Sequence, residues 1–220
     1  MGKLILGIEE AGRGPVLGPL IISGVLIKES NIDKLIEIGI KDSKLLTPER
    51  RRELFPQIQK LSEQIVVKVV EPLEIDNRFT DLLNLNTLEG VKMIEIINEL
   101  KPEKAIVDCP STNIPHFTEF MKSKINHNPE LIVEHKADIN YPIVSAASII
   151  SKVIRDEKMK ELETQTGLVL GSGYPADPNT QAFLKKYAPH LQKLPFVRNT
   201  WATIKNIIEG AEQKSVTDFF

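Results

Sequence analysis

Four carboxylates stand where an apolar run gives way to polar chain: Glu9 and Glu10 after residues 3–8, Asp108 after residues 104–107, and Asp138 just beyond residues 131–134. Those runs read as short buried strands. Carboxylates gathered at strand ends make a hard-oxygen set, which suits Mg²⁺ or Mn²⁺. Without a cation they would repel one another. Two ions about 4 Å apart could activate a water and stabilise the leaving oxygen of a phosphodiester. Taken singly, each acid reads better as a helix cap or a surface charge, and no general rule selects these four from the 30 acids of the chain. Neighbouring residues of a regular strand point to opposite faces, so Glu9 and Glu10 converge only if the strand bends.

Gly12-Arg13-Gly14-Pro15 follows the acid pair directly. Glycines let a backbone approach a ligand, and an arginine fork suits phosphate, although Gly-Arg-Gly by itself is more often a turn. Tyr174, between Gly173 and Pro175, is either an exposed ring for stacking on a sugar or base, or a loop anchor. His116, His127, His135 and His190 show no metal-ligand spacing, and His135 reads as a locally bonded residue. Ser43, Ser145 and Ser148 form no Ser-His-Asp arrangement.

The elements that must position these residues can be read from pattern. Residues 20–27 and 64–70 are two further strands. Thr47-Pro48-Glu49 is a helix start, with Thr as cap and Pro in the first turn. Leu88, Val91, Ile94, Ile97 and Leu100 make the apolar stripe of a helix that Pro102 stops. Residues 141–160 form a long helix with Ser145-Ala146-Ala147-Ser148 in its early turns, where small side chains permit close approach. Residues 171–175 are a loop. Asp177-Pro178 opens another helix, and residues 201–209 form the last, ending at Gly210. Three strands with short connections, followed by alternating strands and helices, give an α/β fold with a mixed five-stranded sheet flanked by helices. Ligands on such sheets sit at the carboxyl ends of parallel strands, where the acids fall.

Composition narrows the class. At 220 residues and 41% hydrophobic, the chain can bury a proper core. Its one cysteine, Cys109, allows no internal disulfide framework and suits a reducing, cytoplasmic setting. The longest apolar stretch, residues 20–27, is far short of the about 20 residues needed to cross a bilayer. Early acids argue against a signal peptide. A net charge of −2 argues mildly against nucleic acid. However, residues 178–208 hold no acid but carry Lys185, Lys186, Lys193, Arg198 and Lys205, and a second basic cluster is Lys41, Lys44, Arg50, Arg51 and Arg52. Each reads alone as a solvated face; the acid-free run favours a phosphate-facing surface.

Several segments together resemble the ribonuclease HII family. Residues 8–15 (Ile-Glu-Glu-Ala-Gly-Arg-Gly-Pro) resemble its opening motif, and residues 41–47 its Asp-Ser-Lys segment. Val107-Asp108 is similar to its third acidic position, and residues 135–138 with 144–153 and Arg155-Asp156 resemble its fourth motif and following helix. Residues 171–178 and 197–201 resemble the archaeal branch. The resemblance spans residues 4–209. It implies a ribonuclease H-like fold with a helical C-terminal region, divided as 1–170 for catalysis, 171–209 for the helical region and 210–220 for a flexible tail. It also implies two-metal hydrolysis with Mg²⁺ or Mn²⁺. The cut falls 5′ to ribonucleotides, in RNA–DNA hybrids and at single ribonucleotides in duplex DNA, and leaves a 3′-hydroxyl and a 5′-phosphate. By position, the metal-binding catalytic acids would be Glu9, Glu10, Asp108 and Asp138. Gly12, Arg13 and Gly14 would sense the 2′-hydroxyl, Lys44 would contact substrate, and Tyr174 would stack on the neighbouring deoxyribose. A monomer is the default expectation.

The family motif opens Asp-Glu, whereas this chain has Glu9-Glu10. The longer side chain adds roughly 1.5 Å of reach, and a misplacement of about 1 Å can cost about 10²-fold in rate. The competing reading is therefore a junction-binding protein of the same fold with attenuated catalysis. Another ribonuclease H-like enzyme, such as a resolvase or transposase, would lack the pairing of Gly-Arg-Gly with Tyr174.

The C-terminal residues 213–220 (Gln-Lys-Ser-Val-Thr-Asp-Phe-Phe) resemble the peptide with which replication and repair proteins bind the sliding clamp PCNA. One helical turn puts Val216, Phe219 and Phe220 on one face as an apolar plug, and Gln213 can hydrogen-bond at its edge. The competing reading is that the terminal aromatics fold back onto the same protein.

Overall fold

The computed structural model describes residues 2–40, 46–80 and 82–217, with 212–217 as backbone alone. Five strands, β1 (Leu4–Ala11), β2 (Leu20–Lys28), β3 (Gln64–Val70), β4 (Lys104–Asp108) and β5 (Glu130–Glu134), form one sheet in the order β3-β2-β1-β4-β5. β1 is antiparallel to β2 and parallel to β4, and β4 is parallel to β5. The sheet is thus mixed, and the central strands β1 and β2 are buried along nearly their whole length, as their continuous apolar runs require.

Nine α-helices lie among the described residues: α1 (Ile32–Glu37), α2 (Pro48–Leu61), α3 (Pro72–Asn77), α4 (Leu85–Leu100), α5 (Ile114–Lys122), α6 (Ala137–Asn140), α7 (Pro142–Thr166), α8 (Pro178–Tyr187) and α9 (Ala202–Thr217). The Thr47 side chain caps α2 by accepting from Arg50 N, and Asp177 caps α8 by accepting from Asn179 N and Thr180 N. α4 ends where Lys101 turns left-handed, at φ 46°, just before Pro102.

The chain divides into two compact units. The first comprises Met1–Ala11, Ile21–Val69 and Leu83–Ile154, and the second Gly12–Leu20, Val70–Leu82 and Arg155–Phe220. In the first, α7 packs directly on β1. A Cβ at Gly7 would lie 2.5 Å from the carbonyl carbon of Ile143, so only glycine allows this approach. Ile5 and Val25 pack there with Val144, Ala147 and Ile150. The second unit has its own core, including Leu17, Leu170, Phe183, Leu191, Val197 and Ile204.

Three features differ from the sequence-based expectation. Glu9 and Glu10 lie inside β1 rather than after it, because pairing with β2 continues to Ala11 opposite Ile21. α9 runs through Gly210 to Thr217; a glycine costs a helix only about 1 kcal/mol, and the strong helix formers Ala211, Glu212 and Gln213 follow it. The short helices α1, α3, α5 and α6 carry too few turns for periodicity to reveal them.

Candidate active site

The acids assemble in the first unit. One carboxylate oxygen from each of Glu9, Glu10 and Asp108 lies within 4.8 Å of the other two. β1 stays in register with β2 through both glutamates. The parallel ladder with β4 stops at Ile8 opposite Val107. Beyond it β1 and β4 share no ladder, and Asp108 stands at the end of β4.

Asp138 is outside that group of three but close to it. It is 1% exposed and sits in the first turn of α6. Asp108 Oδ1 accepts from Ala137 N at 2.7 Å, which ties the third acid to the turn carrying the fourth. Burial pushes the Glu9 carboxyl well above its ordinary value, and the nearby charges of Glu10, Asp108 and Asp138 push it further. Glu9 Oε2 is buried with no hydrogen-bond partner. A buried carboxylate oxygen without a donor, among three further carboxylates, fits a hard divalent cation. His135 donates from Nδ1 to the Cys109 carbonyl at 3.1 Å, a local bond as expected.

The Gly12-Arg13-Gly14 loop belongs to the second unit, where Arg198 bonds to it and Arg155 packs beside it. Gly12 has φ 90°, and a Cβ there would lie 2.3 Å from Arg155 Nε. Arg198 is wholly buried and donates from Nε to the Gly18 carbonyl (2.9 Å), from Nη1 to that of Arg13 (3.2 Å) and from Nη2 to that of Gly12 (2.8 Å). Arg155 donates from Nη2 to the Ser172 carbonyl at 2.9 Å. Its guanidinium carbon lies 5.4 Å from the centroid of the Tyr174 ring. Gly14 is exposed beside that ring, and a Cβ on it would be 3.5 Å from Tyr174 Cε1. Tyr174 itself is 43% exposed. The structure therefore brings Gly14 and Tyr174 together, with Arg155 linking the two loops.

Sequence reasoning placed Arg198 on a phosphate-facing surface. The structure corrects this: it is an internal clamp on backbone carbonyls, and Trp201 lies 5.1 Å from its guanidinium carbon. Lys185, Lys186, Lys193 and Lys205 remain exposed. In the second basic cluster, Arg50 donates to the Ile38 carbonyl, Arg51 to the Leu46 carbonyl, and Arg52 pairs with Glu49. Lys41 and Lys44 lie outside the described residues, as do Phe219, Phe220 and the side chains of Gln213 and Val216. Arg155 is not among the site residues expected from sequence, although Arg155-Asp156 is part of the segment that resembles the family's fourth motif and helix.

Comparison with known proteins gives a consistent picture. The family model described as Ribonuclease HII matches residues 6–204. The Ribonuclease HII of Pyrococcus furiosus is 43% identical over 211 residues, covering 94% of this chain and 92% of that protein. The crystal structure of the ribonuclease H2 from Pyrococcus horikoshii superposes with a TM-score of 0.85 at 42% identity, covering 94% of this chain and 97% of that one. The RNase HII of Archaeoglobus fulgidus, solved as a complex with PCNA, superposes with a TM-score of 0.82 at 37% identity, covering 90% of this chain and 95% of that one.

Proposed function

This chain belongs to the ribonuclease HII family and is a type 2 ribonuclease H, and from that premise we propose that it cuts on the 5′ side of ribonucleotides in RNA–DNA hybrids and at single ribonucleotides in duplex DNA, leaving a 3′-hydroxyl and a 5′-phosphate. The observation that carries the reading is the convergence of Glu9, Glu10 and Asp108 within 4.8 Å. Glu9 takes part in that convergence, which supports a working glutamate at this position rather than a merely binding protein.

Glu9, Glu10, Asp108 and Asp138 would hold two divalent ions, Mg²⁺ or Mn²⁺. Bound there, such ions lower the pKa of water and stabilise the leaving oxygen of the phosphodiester. The rest falls to the chain's own groups. Burial of Glu9 and Asp138 keeps water away from the acids, which strengthens each electrostatic contact they make. Gly12, bonded by Arg198, presents backbone at a place where a side chain would clash with Arg155. With Arg13 and exposed Gly14 it reads the 2′-hydroxyl, the mark that separates RNA from DNA. Tyr174 stacks on the adjoining deoxyribose. Lys44 contacts the substrate backbone.

The protein acts as a monomer in the cytoplasm. Its C-terminal residues Gln213, Val216, Phe219 and Phe220 bind a PCNA-type sliding clamp, a reading supported by the clamp complex of the Archaeoglobus fulgidus relative. Among the described residues, no helix is long and apolar enough to cross a membrane. The test of the activity is a duplex holding one ribonucleotide, incubated with Mg²⁺ or Mn²⁺. A nick 5′ to the ribonucleotide that disappears with chelator supports the reading, and an uncut duplex refutes it.

A further inference from the structure

Glu9 lies inside a strand, so the direction of its carboxylate depends on how its backbone is held. β1 has a parallel partner in β4 only as far as Ile8. One residue later, the Glu9 carbonyl accepts a hydrogen bond of 3.0 Å from Ser151 Oγ, which comes from 142 positions away. Ser151 is wholly buried on α7. The helix is itself fixed against β1 at Gly7, two residues before Glu9 on the same face of the strand. A hydroxyl on a rigid helix thus holds the peptide group from which the Glu9 side chain departs.

Opposite Glu9 on β2 stands Ser23. It too is wholly buried, but its Oγ has no hydrogen-bond partner. Two buried serines therefore flank the same glutamate, and of their two hydroxyls Ser151's is the one that bonds to its backbone.

We propose that Ser151 is a positioning residue of the metal centre, setting the Glu9 backbone so that its carboxylate meets those of Glu10 and Asp108. The proposal rests on the reading of these acids as metal ligands. Ser151 acts through Glu9, as outer-shell partners of metal sites do, and loss of such a partner typically costs about 10- to 100-fold in affinity. Because Ser151 grips backbone and not carboxylate, the lower end is expected.

The test is Mn²⁺ titration of the full-length protein by calorimetry, which needs no substrate. S151A should weaken Mn²⁺ binding about tenfold, while S23A, which removes a hydroxyl without a partner, should leave it unchanged. The pair S151T and S151V provides the same comparison at equal side-chain volume: threonine should bind Mn²⁺ at least several-fold more tightly than valine. Equal binding by S151T and S151V, or an equal loss in S23A and S151A, overturns the proposal while leaving the metal reading intact. A parent protein that binds no Mn²⁺ overturns both.

Discussion

Arg198 Nη2 donates to the carbonyl oxygen of Gly12 at 2.8 Å, across 186 positions of sequence. With its further bonds to the carbonyls of Arg13 and Gly18, this one side chain fixes the turn that follows the acid pair. Lysine keeps the charge but cannot reproduce a planar fork bonded to three carbonyls. Arg198→Lys should therefore destabilise the protein by about 2 kcal/mol, the scale of losing charge-assisted bonds to buried acceptors. Urea denaturation of the two proteins measures it. A variant as stable as the parent would show that the clamp is not needed to hold the turn.

Glu9 gives the metal-free protein a pH dependence of definite sign. Its folded carboxyl holds its proton more tightly than in the unfolded chain, chiefly through burial. Its contribution to stability is complete below the unfolded value, about 4.3, and is lost as pH rises through the folded value. In chelator, Glu9→Gln should match the parent near pH 4 and exceed it in Tm at neutral pH. Divalent metal should reverse the order by stabilising the parent more than the variant. Thermal melts across pH, with and without metal, check both halves. A parent that gains on the variant as pH rises in chelator would contradict the geometry.

These two residues also show what the sequence could and could not reveal. The helix starts at Thr47-Pro48 and Asp177-Pro178, and the stripe from Leu88 to Leu100, were legible because capping and periodicity are local. So were the strand positions, since buried strands read as apolar runs. The acids were legible through the family motif and not through spacing. Their convergence is a relation between distant segments, β1 and β4, which no local pattern shows. Arg198 was misread because charge suggests surface, and its acceptors lie 180 or more positions away. The end expected at Gly210 yielded to the helix-forming residues beyond it. Ser151 carries no pattern of its own; only its contact with Glu9 marks it.

Tyr174 is exposed beside Gly14, with Arg155 next to its ring. Tyr174→Ala should slow cutting at a single ribonucleotide by about 10-fold, which is about 1.4 kcal/mol and lies within the about 1–3 kcal/mol of stacking, and slow cutting of long RNA–DNA hybrids less. The rate ratio on the two substrates is the readout. Equal losses on both would leave Tyr174 as a loop anchor.

Truncation after Lys214 removes Val216, Phe219 and Phe220 and should abolish affinity for the sliding clamp, as should the double variant Phe219→Ala, Phe220→Ala. Nicking of free duplex should be unchanged, because the tail lies outside every segment assigned to catalysis. Calorimetry with the cognate clamp provides the measurement. Undiminished affinity after truncation would place the clamp contact elsewhere.

The central claim is that Glu9, Glu10, Asp108 and Asp138 form a metal-dependent nuclease centre, and Asp108→Asn tests it most directly. The change keeps size and shape while removing one charge from the group. On a duplex with one ribonucleotide, in Mg²⁺ or Mn²⁺, the parent should leave a nick 5′ to the ribonucleotide. The variant should still bind the duplex but lose cutting by more than the about 100-fold that an outer-shell partner costs. A variant that nicks at the parent's rate would contradict the account.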